Sequence, residues 1–94
     1  MDEQQLALIK PILEKYDVTF VGVFGSRSRD DYRADSDLDL LIRFKEVPGL
    51  FKFIRLERLL SQKLNCRVDL VTAEELSPYF RNDVIKQMIP VYGY

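Results

Sequence analysis

Apolar residues recur along the chain with two different periods, and these periods predict its helices and strands. A spacing of three to four residues is typical of one face of a helix, whereas short apolar runs between polar clusters are typical of strands. The pattern predicts helices over residues 2–16, 50–64 and 78–88, and strands over 18–24, 37–44 and 67–72. With one short helical turn in the loop 27–36, the order α-β-α-β-α-β-α predicts an α/β (α+β) fold, a small mixed β-sheet flanked by helices.

The ends and faces of these elements follow from single residues. Asp2 is a candidate N-cap of the first helix, and Pro11 is expected to kink that helix or divide it into two pieces. Ser77 before Pro78 predicts the start of the last helix. In the middle helix, the predicted apolar stripe is Leu50, Phe53, Ile54, Leu56, Leu60 and Leu64, and the predicted solvated face is Arg55, Glu57, Arg58 and Lys63.

Candidate chemistry is concentrated between the first two strands. Gly25 and Ser26 follow an apolar run at a strand-to-loop turn, where small residues let backbone N–H groups approach a phosphate closely. Asp37 and Asp39 lie two residues apart, so both side chains are expected on the same face of the second strand, opposite the core. Adjacent carboxylates repel each other unless a positive charge lies between them. The combination predicts a phosphate cradle beside a metal site, as in nucleotidyl or phosphoryl transfer.

A third carboxylate is predicted to complete this site. Asp69 is the one acid in the short apolar strand 67–72, and a buried carboxylate normally has a partner. Beside Asp37 and Asp39 it would form a cluster of oxygen ligands suited to Mg²⁺, which binds through a few carboxylates plus substrate phosphates. Three carboxylates and a nucleoside triphosphate together require about two divalent ions.

Each of these signals has an ordinary structural interpretation when taken alone. Asp37 and Asp39 could be a turn acid and a strand-start acid, and Gly25-Ser26 is common turn chemistry. Asp69 could be half of a salt bridge with Arg67 or Arg43. The three signals at this spacing, on successive strands, favour the site.

The stretch FGSRSRDDYRADSDLDLLIRF, followed by RVDLVT, resembles the minimal nucleotidyltransferases, small members of the DNA polymerase β-like superfamily. The resemblance covers nearly the whole chain. It implies that Gly25 and Ser26 bind the triphosphate and that Asp37, Asp39 and Asp69 hold the metal. It also implies that Asp69 accepts the proton of the attacking hydroxyl.

Two arginines follow the predicted phosphate cradle directly. Arg27 and Arg29 are either solvated loop residues or contacts for the β- or γ-phosphate, where a guanidinium stabilises developing negative charge. Arg29 is the better candidate because it matches the loop arginine of the family that the chain resembles.

Composition and charge narrow the function classes. The chain contains no histidine, which excludes His-based catalytic triads and Cys/His zinc sites. A net charge of −1 argues against direct nucleic-acid binding. One cysteine, an acidic N-terminus and no apolar run near the ~20 residues of a membrane span predict a cytoplasmic protein with a single domain over residues 1–94. The apolar tail 89–94 is expected either to pack on the sheet or to join an interface.

Three functions remain open at this point. The first is Mg²⁺-dependent transfer of AMP from ATP, or of NMP from another NTP, to a hydroxyl supplied by a partner, since 94 residues leave no room for a template-binding domain. The resemblance implies that this partner is a HEPN-type toxin, that the acceptor is a toxin tyrosine, and that the chain is an antitoxin in complex with it. The second is a non-catalytic module that neutralises its partner by contact. The third is transfer to a small molecule.

Overall fold

The protein forms a four-stranded sheet with two helices packed against one face. The computed structural model describes residues 1–24 and 38–93. In chain order the elements are α1 (Glu3–Lys15), β1 (Val18–Phe24), β2 (Leu38–Phe44), α2 (Leu50–Leu64), β3 (Val68–Thr72), a single 3-10 turn (Ala73–Glu75), α3 (Pro78–Gln87) and β4 (Ile89–Tyr92). The strand order is β3-β2-β1-β4, in which β2 and β3 are parallel and the other neighbours are antiparallel. The predicted mixed sheet is therefore confirmed, and the helical turn predicted in the loop 27–36 lies outside the described residues.

Helix α1 begins with a capping box at Asp2. The Gln5 amide donates to Asp2 Oδ1 at 2.8 Å, and the Asp2 amide donates to Gln5 Oε1 at 3.0 Å. The predicted N-cap is thus confirmed. Of the two effects predicted for Pro11, division of the helix is wrong, because α1 is continuous from residue 3 to 15, and the kink stays a prediction. Proline removes one intrahelical hydrogen bond, and the burial of Ile9 and Leu13 on either side of it stabilises the uninterrupted helix.

Helix α2 has the predicted bounds, but its line of contact with the sheet is narrower than the predicted stripe. Leu56, Leu60 and Leu64, spaced four residues apart, are buried, and Phe53 is half-buried. Leu50 and Ile54 are 70% and 43% exposed, so their predicted burial is wrong. A helix that contacts one sheet buries only the row of side chains directed at it, and these two residues lie beside that row.

Strand β2 is covered on both faces at its centre. Leu38, Leu40 and Ile42 face the core beneath α1 and α2. Leu41, on the opposite face, is also fully buried. Water is therefore excluded from both faces of β2 over residues 40–42.

The chain ends in a strand that the sequence pattern did not predict. Residues 89–92 form β4, which pairs with β1, so the tail packs on the sheet. The signal was weak because the strand has four residues, and its second, Pro90, lacks an N–H group. None of the helices in the described part of the chain is long and apolar enough to span a membrane.

Candidate active site

Two of the three predicted carboxylates lie side by side in the sheet. Asp39 and Asp69 are paired positions of the parallel strands β2 and β3, and each is the second residue of its strand. Neighbouring strands are about 4.8 Å apart. The residues on either side of both acids point into the core, so alternation places both carboxylates on the opposite face; these flanking residues are Leu38, Leu40, Val68 and Leu70.

The carboxylate pair is partly open to solvent. Asp39 is half-buried, and the side chain of Asp69 is 39% exposed. Arg67 Nε lies 3.6 Å from Asp69 Oδ1, so the ion pair with Arg67, weighed above as the ordinary interpretation of Asp69, is present. The Arg67 side chain is 74% exposed, and pairs of this kind contribute about 1 kcal/mol or less. Arg67 therefore balances the charge of Asp69 without fixing it in place.

The end of β1 lies next to this pair. Phe24, the last residue of β1, pairs with Asp39, so three neighbouring strands meet at the site. Gly25 and Ser26 follow Phe24 in the chain, and Asp37 precedes Leu38. These three residues, together with Arg27 and Arg29, lie outside the described residues.

The donor atoms present fit a hard divalent cation. Asp39 and Asp69 offer carboxylate oxygens from adjacent strands on one face, and Mg²⁺ needs only a few carboxylates because it keeps several waters. No group of three or more metal-ligating side chains is found among residues 1–24 and 38–93, which do not include Asp37. Asp39 and Asp69 thus occupy paired positions, and their role as metal ligands stays a prediction.

Side chains of α2 bind the outer edge of β3, and this arrangement was not predicted. The Leu70 amide donates to Glu57 Oε2 at 3.0 Å, and the Val68 amide donates to Ser61 Oγ at 3.0 Å. Ser61 Oγ in turn donates to the Glu57 carbonyl at 2.8 Å. The predicted place of Glu57 on the solvated face is wrong, because Glu57 is half-buried against an edge strand whose position no local pattern encodes.

A cleft of about 280 Å³ opens at the same edge of the sheet. Its walls combine Glu57, Arg58 and Ser61 of α2 with Arg67 and Asp69. Both negatively and positively charged side chains line the cleft. A group that approaches Asp69 along this edge therefore meets arginine side chains as well as carboxylates.

Comparisons with known proteins agree with this geometry. A family model described as polymerase beta, nucleotidyltransferase matches residues 8–94. The protein adenylyltransferase MntA of Thermococcus cleftensis is 40% identical over 82 residues, which cover 87% of this chain and 83% of the relative. A solved structure assigned to the minimal nucleotidyltransferases has a TM-score of 0.78 at 36% identity, covering 94% of this chain and 89% of that chain.

One further solved structure shares the fold. It is a chain from the complex of a tri-AMPylated HEPN toxin with its MNT antitoxin, from Shewanella oneidensis, with a TM-score of 0.74. The match covers 100% of this chain and 74% of that chain at 21% identity, and at this identity the likeness concerns the fold alone.

Proposed function

Because the chain belongs to the polymerase β nucleotidyltransferase family, we propose that it transfers AMP from ATP, or NMP from another NTP, to a hydroxyl group of a partner protein. The observation that carries this proposal is the register of the two parallel strands, which places Asp39 beside Asp69. A nucleotidyltransferase needs carboxylates gathered on one face at this spacing, whereas a contact-only module does not.

Different residues of the chain have different proposed roles in the reaction. The acceptor oxygen attacks the α-phosphorus and forms a bond with it. The bond between the α-phosphorus and the oxygen that bridges to the β-phosphate breaks, and pyrophosphate leaves. Asp69 takes the proton of the acceptor hydroxyl. Gly25 and Ser26 bind the triphosphate, and Arg27 and Arg29 contact its outer phosphates; these four roles are proposed from the family pattern.

Asp37, Asp39 and Asp69 are the residues that would hold Mg²⁺, with two ions as the expected number. When bound, the ions would lower the charge of the triphosphate and of the leaving pyrophosphate. The oxygen-only donor pair of Asp39 and Asp69 supports this assignment, since nitrogen or sulfur ligands would favour other metals.

We further propose a HEPN-type toxin as the partner and one of its tyrosines as the acceptor, so that the chain acts as an antitoxin. Two relatives support this proposal. One is named a protein adenylyltransferase, and a protein of the same fold occurs in a complex with an AMPylated HEPN toxin.

The test compares wild type with Asp39→Asn and Asp69→Asn, each incubated with a co-purified HEPN partner, ATP and Mg²⁺. Intact-mass analysis of the partner measures the gain of AMP units, and fragment masses locate the modified side chain. We expect each variant to lose about a hundredfold or more in rate, because each change removes a proposed metal ligand and, for Asp69, the proton acceptor.

Asp83→Asn is the matched control, since it makes the same chemical change at an exposed position of α3. Circular dichroism of all four proteins verifies that the variants fold. Full activity in both site variants would contradict the proposal. A partner that stays bound and inhibited, with no mass gain from wild type, would instead favour the contact-only module.

A further inference from the structure

We propose that Glu57, assisted by Ser61, is a positioning residue that holds Asp69 beside Asp39 by clamping the outer edge of β3. The role rests on the proposed nucleotidyl transfer, because it concerns the carboxylate that accepts the proton. We call the Glu57 and Ser61 side chains, with the two amides that they bind, the α2–β3 clamp.

The clamp acts on an edge strand. Strand β3 lies at the end of the sheet order and, among residues 1–24 and 38–93, pairs with β2 alone. The Leu38 amide donates to the Arg67 carbonyl at 2.8 Å, so the main chain at odd positions of this strand faces β2. The amides of Val68 and Leu70 therefore face outward on either side of Asp69, and these are the two amides that the clamp binds.

The spacing of the two elements suits this pairing. Glu57 and Ser61 lie four residues apart in α2, a rise of about 6.0 Å, while Val68 and Leu70 lie two residues apart in β3, a rise of about 6.6 Å. Glu57 binds the later strand residue and Ser61 the earlier one, so helix and strand run in opposite directions. The two spacings agree to within about 1 Å, so both bonds form together in the observed register.

A change of register would separate the two carboxylates. A slip of β3 by one residue would place the Asp69 carboxylate in the core, which costs several kcal/mol. A slip by two residues would keep apolar side chains inward, yet it would move Asp69 about 6.6 Å from Asp39. Either slip breaks both clamp bonds of the observed register.

Local opening of β3 would also displace Asp69 from Asp39, by a smaller distance. Strand β3 has five residues, and edge strands open more readily than central ones. Displacement of a catalytic group by about 1 Å can lower a rate by about a hundredfold. The two bonds that flank Asp69 therefore restrain the group whose position matters most.

The test uses three variants of the full chain with the HEPN partner. Glu57→Ala removes the acceptor of the Leu70 amide, whereas Glu57→Gln keeps an oxygen that accepts the same bond and removes the charge. Glu14→Ala is the control, because it deletes an exposed carboxylate from another helix. The readouts are kcat and KM for ATP in AMP transfer and, independently of catalysis, hydrogen exchange of the Leu70 amide by NMR.

For Glu57→Ala we expect exchange of the Leu70 amide to accelerate about tenfold. We expect kcat to fall about tenfold with KM for ATP within twofold of wild type, since the proton acceptor moves while Gly25 and Ser26, the proposed triphosphate contacts, are not altered. Glu57→Gln and Glu14→Ala should match wild type in both readouts.

If wild type is active, three results would overturn the positioning role. The first is unchanged Leu70 exchange in Glu57→Ala, and the second is faster exchange with unchanged kcat. Loss of activity in Glu57→Gln equal to that in Glu57→Ala would also overturn it, because charge rather than the hydrogen bond would then be responsible. Wild type that transfers no AMP would overturn the proposed function and this role together, and the exchange data would show separately whether the clamp forms.

Discussion

The single glycine near the C-terminus offers a sharp test of how the tail is attached. Gly93 has a φ of 75°, a conformation that L-residues adopt at a cost of about 1–2 kcal/mol. A Cβ atom there would overlap the Thr19 carbonyl oxygen and lie 2.8 Å from the Thr19 carbonyl carbon. Both obstructing atoms belong to the backbone of the adjoining strand segment, so no side-chain rotation can relieve the contact. Gly93→Ala should therefore detach the end of β4 from β1.

The size of the effect follows from what β4 contributes. Val91 and Tyr92 are half-buried and pack against the core. Full burial of such a side chain contributes about 1.5–3 kcal/mol, so half-burial of two contributes about 2 kcal/mol. Detachment releases the backbone strain, so the loss in unfolding free energy is about 2 kcal/mol, out of a total of roughly 5–15 kcal/mol for a small domain. For a chain of this length, that corresponds to a fall in Tm on the order of 10 °C.

Urea denaturation followed by circular dichroism measures this loss. The Gly93→Asn variant distinguishes the overlap of a Cβ atom with Thr19 from the cost of the positive φ. Asn tolerates positive φ better than Ala yet carries the same Cβ. We expect Asn to recover at most about 1 kcal/mol. Gly49→Ala is the control, since a Cβ there meets nothing within 4 Å and the expected loss is about 1 kcal/mol or less. A Gly93→Ala protein as stable as wild type, or full recovery by Asn, would refute the reasoning.

Two smaller predictions concern helix caps. Gly49 is the N-cap of α2 and makes no side-chain cap bond, so Gly49→Ser should raise the unfolding free energy by about 0.5 kcal/mol in the same urea assay; a decrease would contradict the assigned start of α2. Asp2→Ala removes one half of the capping box with Gln5 and should lower the unfolding free energy by about 1 kcal/mol, whereas no change would indicate that the first turn of α1 is frayed in solution.

The elements with a strong internal period could be predicted from the sequence almost to the residue. Strand 18–24 and helix 50–64 match their predicted bounds, and Ser77 caps α3 as expected, its Oγ accepting from the Tyr79 amide at 3.3 Å. In each case the signal is local, since it lies in the spacing of apolar side chains or in one capping residue. Strand β4 could not be predicted because four residues that include a proline are too few to show an alternating apolar pattern. The strand is stabilised by its pairing with β1, which depends on the tertiary structure.

The residues of the candidate site also differ in whether the sequence could predict them. Asp39 could be chosen from sequence because it forms an Asp-x-Asp pair with Asp37, and Asp69 because it is the one acid of an apolar strand; the parallel register then brings them together. The contact of Glu57 could not be predicted, because it depends on which strand forms the edge of the sheet. Local spacing placed Glu57 with the exposed residues of α2, and only the tertiary arrangement turns it toward β3.

An edge strand offers access but also exposes unpaired backbone amides, and both matter for the carboxylate that we propose as the acceptor of the proton. The edge leaves Asp69 partly exposed beside an open cleft, so a bulky partner can approach without passing through the core. The same edge would present free amides to any other extended chain, and a strand added there would cover the cleft. Glu57 and Ser61 occupy these amides from within the same chain. The bonds that fix the position of Asp69 thereby also keep the acceptor's route to it open.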